Sequence, residues 1–521
     1  MINEIGWYRM NSVKIGSIIY IGSTEITATI KQIKKNGLQL VEKASHSIGI
    51  GKEAFETGKI SSEKVDRIVE IVSNFKQLSL EYGAERIVLF ASTAIRESEN
   101  KYYIRDRLYQ ETGIVLEIVS DSELKNIIFM SNLKVLKDAD YLKNNAIITF
   151  IGSGNLGIAF YEDMSINFLQ NILIGTIKLY EIAKNADKYS DKMNIMVKEQ
   201  LYTYFNFLPT FLPKSNIKDF IVTGRTLDTL KVLCHADDKG DISFISKPGL
   251  EDFYNEIVAL NADSIAIKYD LNREFANELV IATIVIENLL EMTEAETIAV
   301  PNIFFFDIVF YEMMLPKLYE EIRTLFYGYA IESSKKLAQM YKSYGKHIEF
   351  VEEVASAILK KLSKNNRFKE KEIIYLKIAV ILHNIGKYIN PDKHYLHSSY
   401  IIQKTDIIGL SEQDRMMISL IVKYQSYLLP SEKDEEYAQL SPVEKISVSK
   451  LSAVLRLADA LDKNYSQKFK NIHIKQQKGL LVVEVESKTN TYIEQIKFNE
   501  YCDFFKEVFG IEVKLVIKRG I

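Results

Sequence analysis

Two Gly/Ser turns carry most of the chemistry that this sequence offers. IYIGSTEI at 19–26 and TFIGSGNLG at 149–157 each lead an apolar, strand-like run into a turn: Gly22-Ser23-Thr24 in the first, and Gly152-Ser153-Gly154 followed by Asn155 in the second. Small residues in a row leave successive backbone N–H groups unobstructed, and a concave set of such donors suits phosphate oxygens. Either turn alone reads as an ordinary strand connection. Two of them facing each other would clamp a phosphate chain. Cleaving that chain demands more: a carboxylate to hold Mg2+ or its waters, and a base to aim the attacking water. The residues that enter the turns are Tyr20 and Phe150, which supply neither.

A second constellation lies near the other end of the chain. A divalent ion can be held by a histidine of one helix, a His-Asp pair of a second and an aspartate of a third. His347, His383 with Asn384, and then Asp459 and Asp462 follow in that order. The residue beside His383 is Asn384, whose amide brings no negative charge to offset a dication. The choice is between a metal site on His347, His383, Asn384 and Asp459 and a helical bundle whose histidines hydrogen-bond to neighbouring acids. The missing carboxylate favours the bundle.

The elements that must position these residues follow from changes in period. Residues 12–45 alternate as paired strands, with Lys-Asn-Gly at 35–37 as a hairpin turn. Segment 61–83 shifts to helical spacing through Val65, Ile68, Val69, Ile71, Val72 and Phe75, and RIVLFAST at 86–93 returns to strand. From 145 the order begins again with AIITFIG, LGIAFYE and SINFLQNILIG, then helical patterns at 176–206. After about 315 the chain is helical, and 470–521 reads strand, strand, helix, strand. This tail has no catalytic set of its own and is expected to pack onto the helical part or onto a second subunit.

The chain has 521 residues, 47% of them hydrophobic and 26% charged, and only 8 are prolines. A single core rarely grows past about 250–300 residues, so several domains are expected. Cys234 and Cys502 stand too far apart in sequence to suggest a disulfide framework, which fits a reducing compartment. MINEIGWYRMNSVK lacks the pattern of a leader, and no apolar run approaches the ~18 residues of a span. The expectation is a cytoplasmic protein with no membrane partner. A net charge of -3 offers no general attraction to nucleic acid.

Beyond the two turns, the chain carries HSIGIG at 46–51, Gly58, FASTAIRESEN at 90–100, IVSDSELK at 118–125 and LIGTIKLYE at 173–181. In order and spacing these resemble the exopolyphosphatase/guanosine pentaphosphate phosphatase (Ppx/GppA) family over roughly residues 12–310. Gly22, Ser23, Arg96, Asn100, Gly152, Gly154, Gly175 and Glu181 match family positions. Tyr20 and Phe150 stand where the family has aspartates, and Leu124 where it has its catalytic glutamate. Asn155, Leu156 and Gly157 replace its Ser-Thr-Glu, Gly224-Arg225-Thr226 its Gly-Gly-Thr, and Phe306 is a further departure. Residues 330–470 resemble the HD-like domain of long family members.

The resemblance implies an α/β plus all-α fold: duplicated actin-like (ribonuclease H-like) phosphatase domains at 1–130 and 131–315, an HD-like helical domain at 316–470 and a small α+β domain at 471–521. It implies phosphate binding by Gly22, Ser23, Thr24, Arg96, Gly152, Ser153, Gly154 and Asn155. Arg96 reads either as a fork for phosphate or as an ion pair with Glu97 or Glu99. Asp121 and Glu123 are the acids nearest the lost catalytic position, but one helical residue turns a side chain by about 100°, which points Glu123 away from the place of Leu124. Glu25 reads as a solvent-facing acid within reach of a metal. The main expectation is therefore a catalytically degenerate homologue that binds polyphosphate or a guanosine alarmone, as a homodimer, in a regulatory role. Against it stand an active phosphohydrolase using Mg2+ and relocated acids, and a structural protein with a vestigial cleft.

Overall fold

The computed structural model describes residues 13–34, 37–91, 93–186, 193–206, 208, 217–303, 306–366, 368–477 and 479–519. Of the expected turn at 35–37, residues 35 and 36 lie outside these, as does most of MINEIGWYRMNSVK. The chain forms two compact units, one ending at Phe326 and the other running from Tyr327.

In the first unit, β1 (Ile15–Ile21), β2 (Glu25–Lys34) and β3 (Gly37–Ser47) form an antiparallel meander. β4 (Arg86–Ala91) and β5 (Leu116–Ile118) extend the sheet in parallel on the far side of β1, giving the order β3-β2-β1-β4-β5. Successive residues of β1 face opposite sides, as a pleat requires. Ile19 and Ile21 join a core with the helix Ser62–Glu81, whose Val65, Ile68, Ile71 and Val72 are buried, and Ile18 joins the core on the other face. Each such aliphatic side chain contributes about 1.5–3 kcal/mol on full burial.

The pattern recurs. β6 (Ala146–Ile151), β7 (Leu156–Glu162) and β8 (Ser165–Ile172) form a second antiparallel meander, and β9 (Asp219–Gly224) pairs in parallel with β6. β10 (Asp237–Asp238), β11 (Ile242–Ser246) and β12 (Thr297–Pro301) complete the order β10-β11-β12-β9-β6-β7-β8. In both sheets the first strand of the meander ends in a Gly/Ser turn beside the carboxyl end of a parallel neighbour, where open α/β sheets place ligands. Ile21 pairs with Ala91, and Ile151 with Gly224. The helix Arg273–Leu290 packs its apolar face on the second sheet.

The second unit is helical, with Gly345–Asn366, Glu370–Leu382, His394–Lys404, Glu412–Lys423 and Pro442–Ala460 around one core. The last of these starts at a capping box between Ser441 and Glu444 with Pro442 in the first turn, a placement that uses no N–H the helix needs. β13 (Lys470–Gln477), β14 (Leu480–Ser487) and β15 (Glu512–Arg519) make a three-stranded sheet, in which the helix Tyr492–Phe509 links the parallel β14 and β15. Leu481, Val483, Phe498 and Phe505 share the apolar core of the bundle, so the tail packs onto the helices. Among the described residues, no helix is long and apolar enough to cross a membrane.

Candidate phosphate cleft and histidine cluster

The two Gly/Ser turns are held by contacts that leave donors unused. In the first, Gly22 donates to the Glu25 carbonyl at 2.9 Å, Gly51 donates to that of Ser23 at 2.7 Å, and the Ile48 and Gly49 amides donate to that of Thr24. In the second, Gly152 donates to Asn155 at 2.9 Å, and the first turn of the helix Thr176–Ala186 reaches back to it, Thr176 to the Gly152 carbonyl and Ile177 to that of Ser153, each at 3.0 Å. Gly175 makes that closeness possible: a Cβ there would lie 2.4 Å from the Gly152 oxygen. Among the described residues, the amides of Ser23, Thr24, Ser153 and Gly154 donate to no backbone or side-chain acceptor. The turns approach each other's halves as well, since a Cβ on Gly154 would meet the Thr93 side chain at 2.7 Å.

The positions at which the family resemblance would place acids converge. Leu124, Phe150 and Phe306 are buried in one apolar cluster with Phe90, and Tyr20 packs against it. Phe306 lies between Tyr20, at 5.0 Å between centroids, and Phe90, stacked at 5.1 Å. Asp121 opens the helix Asp121–Asp138, whose cap Ser120 accepts from the Glu123 amide at 3.2 Å. The Asp121 carboxylate pairs with Arg96 and accepts from Asn155 Nδ2 at 3.3 Å. Burial raises its pKa, against the opposing charge of Arg96. Arg96 also donates to the Val119 carbonyl at 2.7 Å. The ion pair read for Arg96 with Glu97 or Glu99 is thus corrected: Glu97 pairs with Lys178 at 3.1 Å and Glu99 with Lys59 at 3.2 Å, because the arginine reaches Val119 and Asp121 in the segment after β5 instead of the acids of its own segment. Asn100 bonds both backbone groups of Ile60.

Two residues that the sequence reading did not single out as site residues dominate the space between the turns. Arg225, in the turn after β9, donates to Thr24 Oγ1 at 2.5 Å and to Glu278 Oε1 at 2.9 Å, and its Nε lies 3.3 Å from Glu25. Glu25 is therefore paired and does not simply face solvent. Glu278 Oε2 accepts from Ser153 Oγ and Thr176 Oγ1, both at 3.0 Å. The one sequence signal was an acid directly before the apolar run LVIATIVI. A cavity of 540 Å3 lined by Tyr20, Glu25, Lys43, Arg225, Lys231 and Phe306 borders this ion pair. Another of 350 Å3 is lined by Ser23, Thr24, Lys52, Glu181, Arg273 and Glu278.

In the helical unit, His347, His383 and Asp459 come within metal-binding distance of one another and are buried. His383 Nδ1 donates to the Val380 carbonyl at 2.6 Å, so its Nε2 is an acceptor, facing His347 Nε2 at 3.1 Å and Asn384 Nδ2 at 2.7 Å. His347 Nδ1 bonds Asp462 at 2.8 Å, and its Nε2 also lies 3.3 Å from Asp459. Burial disfavours the charged form of His347, but Asp459 and Asp462 outweigh it and hold its pKa up; burial lowers that of His383. Lys463 Nζ binds the other Asp459 oxygen at 2.7 Å. Asn384 Nδ2 also reaches the Tyr465 hydroxyl at 2.7 Å. Two carboxylates thus meet two imidazoles and an ammonium. A divalent ion would compete with Lys463 for Asp459 and would gain only a neutral amide from Asn384, so the donor set fits a metal poorly.

A profile of the Ppx/GppA phosphatase family matches residues 29–315, and one of the same family's phosphatase domain III matches residues 331–500. The bifunctional 3-dehydroquinate synthase/phosphatase of Fusobacterium nucleatum is 22% identical over 242 residues, which is 44% of this chain and 36% of that protein. Exopolyphosphatase 1 of Mycobacterium tuberculosis is 24% identical over 75 residues, 14% of this chain and 22% of that protein. The chain thus spans about a third or less of the length of these curated relatives. An exopolyphosphatase-like protein of known structure superimposes over 59% of this chain and 100% of its own, with a TM-score of 0.52 at 14% identity. An exopolyphosphatase from Cytophaga hutchinsonii covers 58% of this chain and 98% of its own, with a TM-score of 0.49 at 18% identity.

Proposed function

This chain belongs to the Ppx/GppA phosphatase family, and we propose that within it the protein is a catalytically degenerate member that holds a polyphosphate or guanosine polyphosphate chain between its two Gly/Ser turns. The observation that carries this reading is the apolar cluster of Leu124, Phe150 and Phe306 under Tyr20. Hydrolysis of a phosphoanhydride needs charge at the place where the metal and the water are organised, and here that place is filled by hydrocarbon. Asp121 is tied to Arg96 and Asn155, which supports a structural role for all three. The two carboxylates nearest the turns, Glu25 and Glu278, are both engaged by Arg225, so no catalytic step is assigned to Mg2+.

Binding survives the loss of catalysis because it draws on other groups. The free amides of Ser23, Thr24, Ser153 and Gly154 supply donors, and Arg225 supplies charge. Actin-like halves hinge about such a cleft, and occupancy would be read out through conformation or a partner, including a second copy of the chain. The HD-like domain is read as a metal-free structural bundle, with Lys463 and His347 offsetting Asp459 and Asp462. The test is thermal shift of the full chain with inorganic polyphosphate, guanosine tetraphosphate and guanosine pentaphosphate, with and without Mg2+, alongside phosphate release. Stabilisation without release is the expected result; release at the rate of an intact family member would overturn the reading.

A further inference from the structure

Glu278 sits among the donors of the second turn in the way a bound anion would. One carboxylate oxygen takes both hydroxyls, from Ser153 in the turn and from Thr176 at the start of the helix stapled to it, each at 3.0 Å. The other oxygen takes the Arg225 guanidinium at 2.9 Å, and the same Arg225 nitrogen reaches Thr24 of the first turn at 2.5 Å. Two hydroxyls and a guanidinium converging on an oxyanion are the donor types that hold a phosphoryl group. The Glu278 side chain is 5% exposed, and burial raises its pKa while Arg225 opposes the rise. It forms part of the wall of the 350 Å3 cavity, together with Lys52 and Arg273. Asn277 lines the same cavity, and its buried Oδ1 has no partner. The carboxylate therefore borders open space whose wall carries two cations, Lys52 and Arg273, and two further acids, Glu181 and Glu274.

We propose that Glu278 is an internal anion that fills the phosphate cradle, and that a polyphosphate chain binds by displacing it from Ser153, Thr176 and Arg225. The proposal rests on the reading of the cleft as a polyphosphate site and adds its regulation. Displacement moves the carboxylate into the cavity beside Lys52 and Arg273 and hands three donors to the ligand, while Arg225 keeps its hold on the first turn. A phosphate that arrives without displacing Glu278 meets a buried like charge at contact distance, where such repulsion is large. Selectivity follows: a chain with several charges offsets the lost contacts, whereas orthophosphate does not.

The experiment measures binding of inorganic tripolyphosphate and of orthophosphate to the full chain by calorimetry, for wild type, Glu278→Gln and the exposed control Glu251→Gln. Glutamine keeps the size and an acceptor oxygen while removing the charge. The expected result is that Glu278→Gln binds tripolyphosphate at least about tenfold more tightly than wild type and gains measurable affinity for orthophosphate, with Glu251→Gln unchanged. Equal or weaker binding in Glu278→Gln, or the same gain in Glu251→Gln, overturns the proposal and leaves the cleft reading in place. Absence of binding in wild type and Glu278→Gln alike overturns both. Glu278→Ala, which removes the carboxylate without introducing an amide, carries the same expectation should the glutamine variant not fold.

Discussion

The ring of Tyr20 packs on that of Phe306 at 5.0 Å between centroids and 54° between planes, so the side chain that enters the first Gly/Ser turn is bound into an apolar cluster instead of facing a metal. The two residues lie on different elements, and their contact places a hydrocarbon surface under the cleft.

Phosphate release is accordingly expected to stay at background with inorganic polyphosphate or guanosine pentaphosphate in the presence of Mg2+. Loss of one well-placed electrostatic group costs about 10²–10³ in rate, and groups that act as a unit do not add simply. Glu123→Gln should change nothing. Strong turnover that disappears in this variant would show that the acids have been relocated.

Restoring acids should damage the fold before it restores chemistry. Phe150 and Leu124 are 5% and 3% exposed, so Tyr20→Asp, Leu124→Glu and Phe150→Asp together bury unpaired carboxylates where aromatic and aliphatic contacts were. Phe150→Asp alone should cost about 3–5 kcal/mol in urea unfolding. A folded triple variant with clear hydrolysis would show that the remaining cleft had stayed competent.

The histidine cluster should hold no stoichiometric metal. Chelator treatment is expected to leave the melting temperature unchanged, and elemental analysis to find far less than one equivalent of Fe, Mn or Zn. Lys463→Met should instead destabilise the protein by about 3 kcal/mol, because Asp459 keeps its buried charge and loses the ammonium at 2.7 Å. One equivalent of metal that His383→Ala removes would refute this.

Stability should fall in mild acid through His394. Burial, reinforced by the charge of Lys387, pulls its pKa down to about 4, below the value near 6.5 of an unfolded histidine. The folded protein thus binds fewer protons between these values, so the contribution is complete above pH ~6.5 and is lost as pH falls toward ~4. Urea midpoints from pH 7.5 to 4.5 should decline less steeply for His394→Gln than for wild type; parallel curves would assign the loss elsewhere.

Much of the architecture was legible in one dimension. Alternation at 12–45 and 145–172 places β1, β2, β6, β7 and β8, and the spacing of Val65, Ile68, Ile71 and Val72 places the helix Ser62–Glu81. These patterns are set by the backbone's own periods of 2 and 3.6 residues, which act within a few residues and so survive in the sequence. The same local reading located both Gly/Ser turns and the histidines that meet Asp459.

The site itself was decided by the tertiary structure. Nothing local tells Arg96 to choose Asp121 over Glu97, or brings Arg225 to a glutamate 53 positions away. Tyr20, Leu124, Phe150 and Phe306 are scattered along the sequence, and only folding brings them into one packed surface. Pairing and packing across such separations depend on which surfaces the two sheets and their helices present to each other, and burial then selects the partner that leaves fewest charges and cavities uncompensated. The sequence by itself therefore determined the elements, the turns and the apolar residues that enter them. The apolar cluster under Tyr20 and the carboxylate held between the turns were decided by the three-dimensional packing of residues that have no local relation.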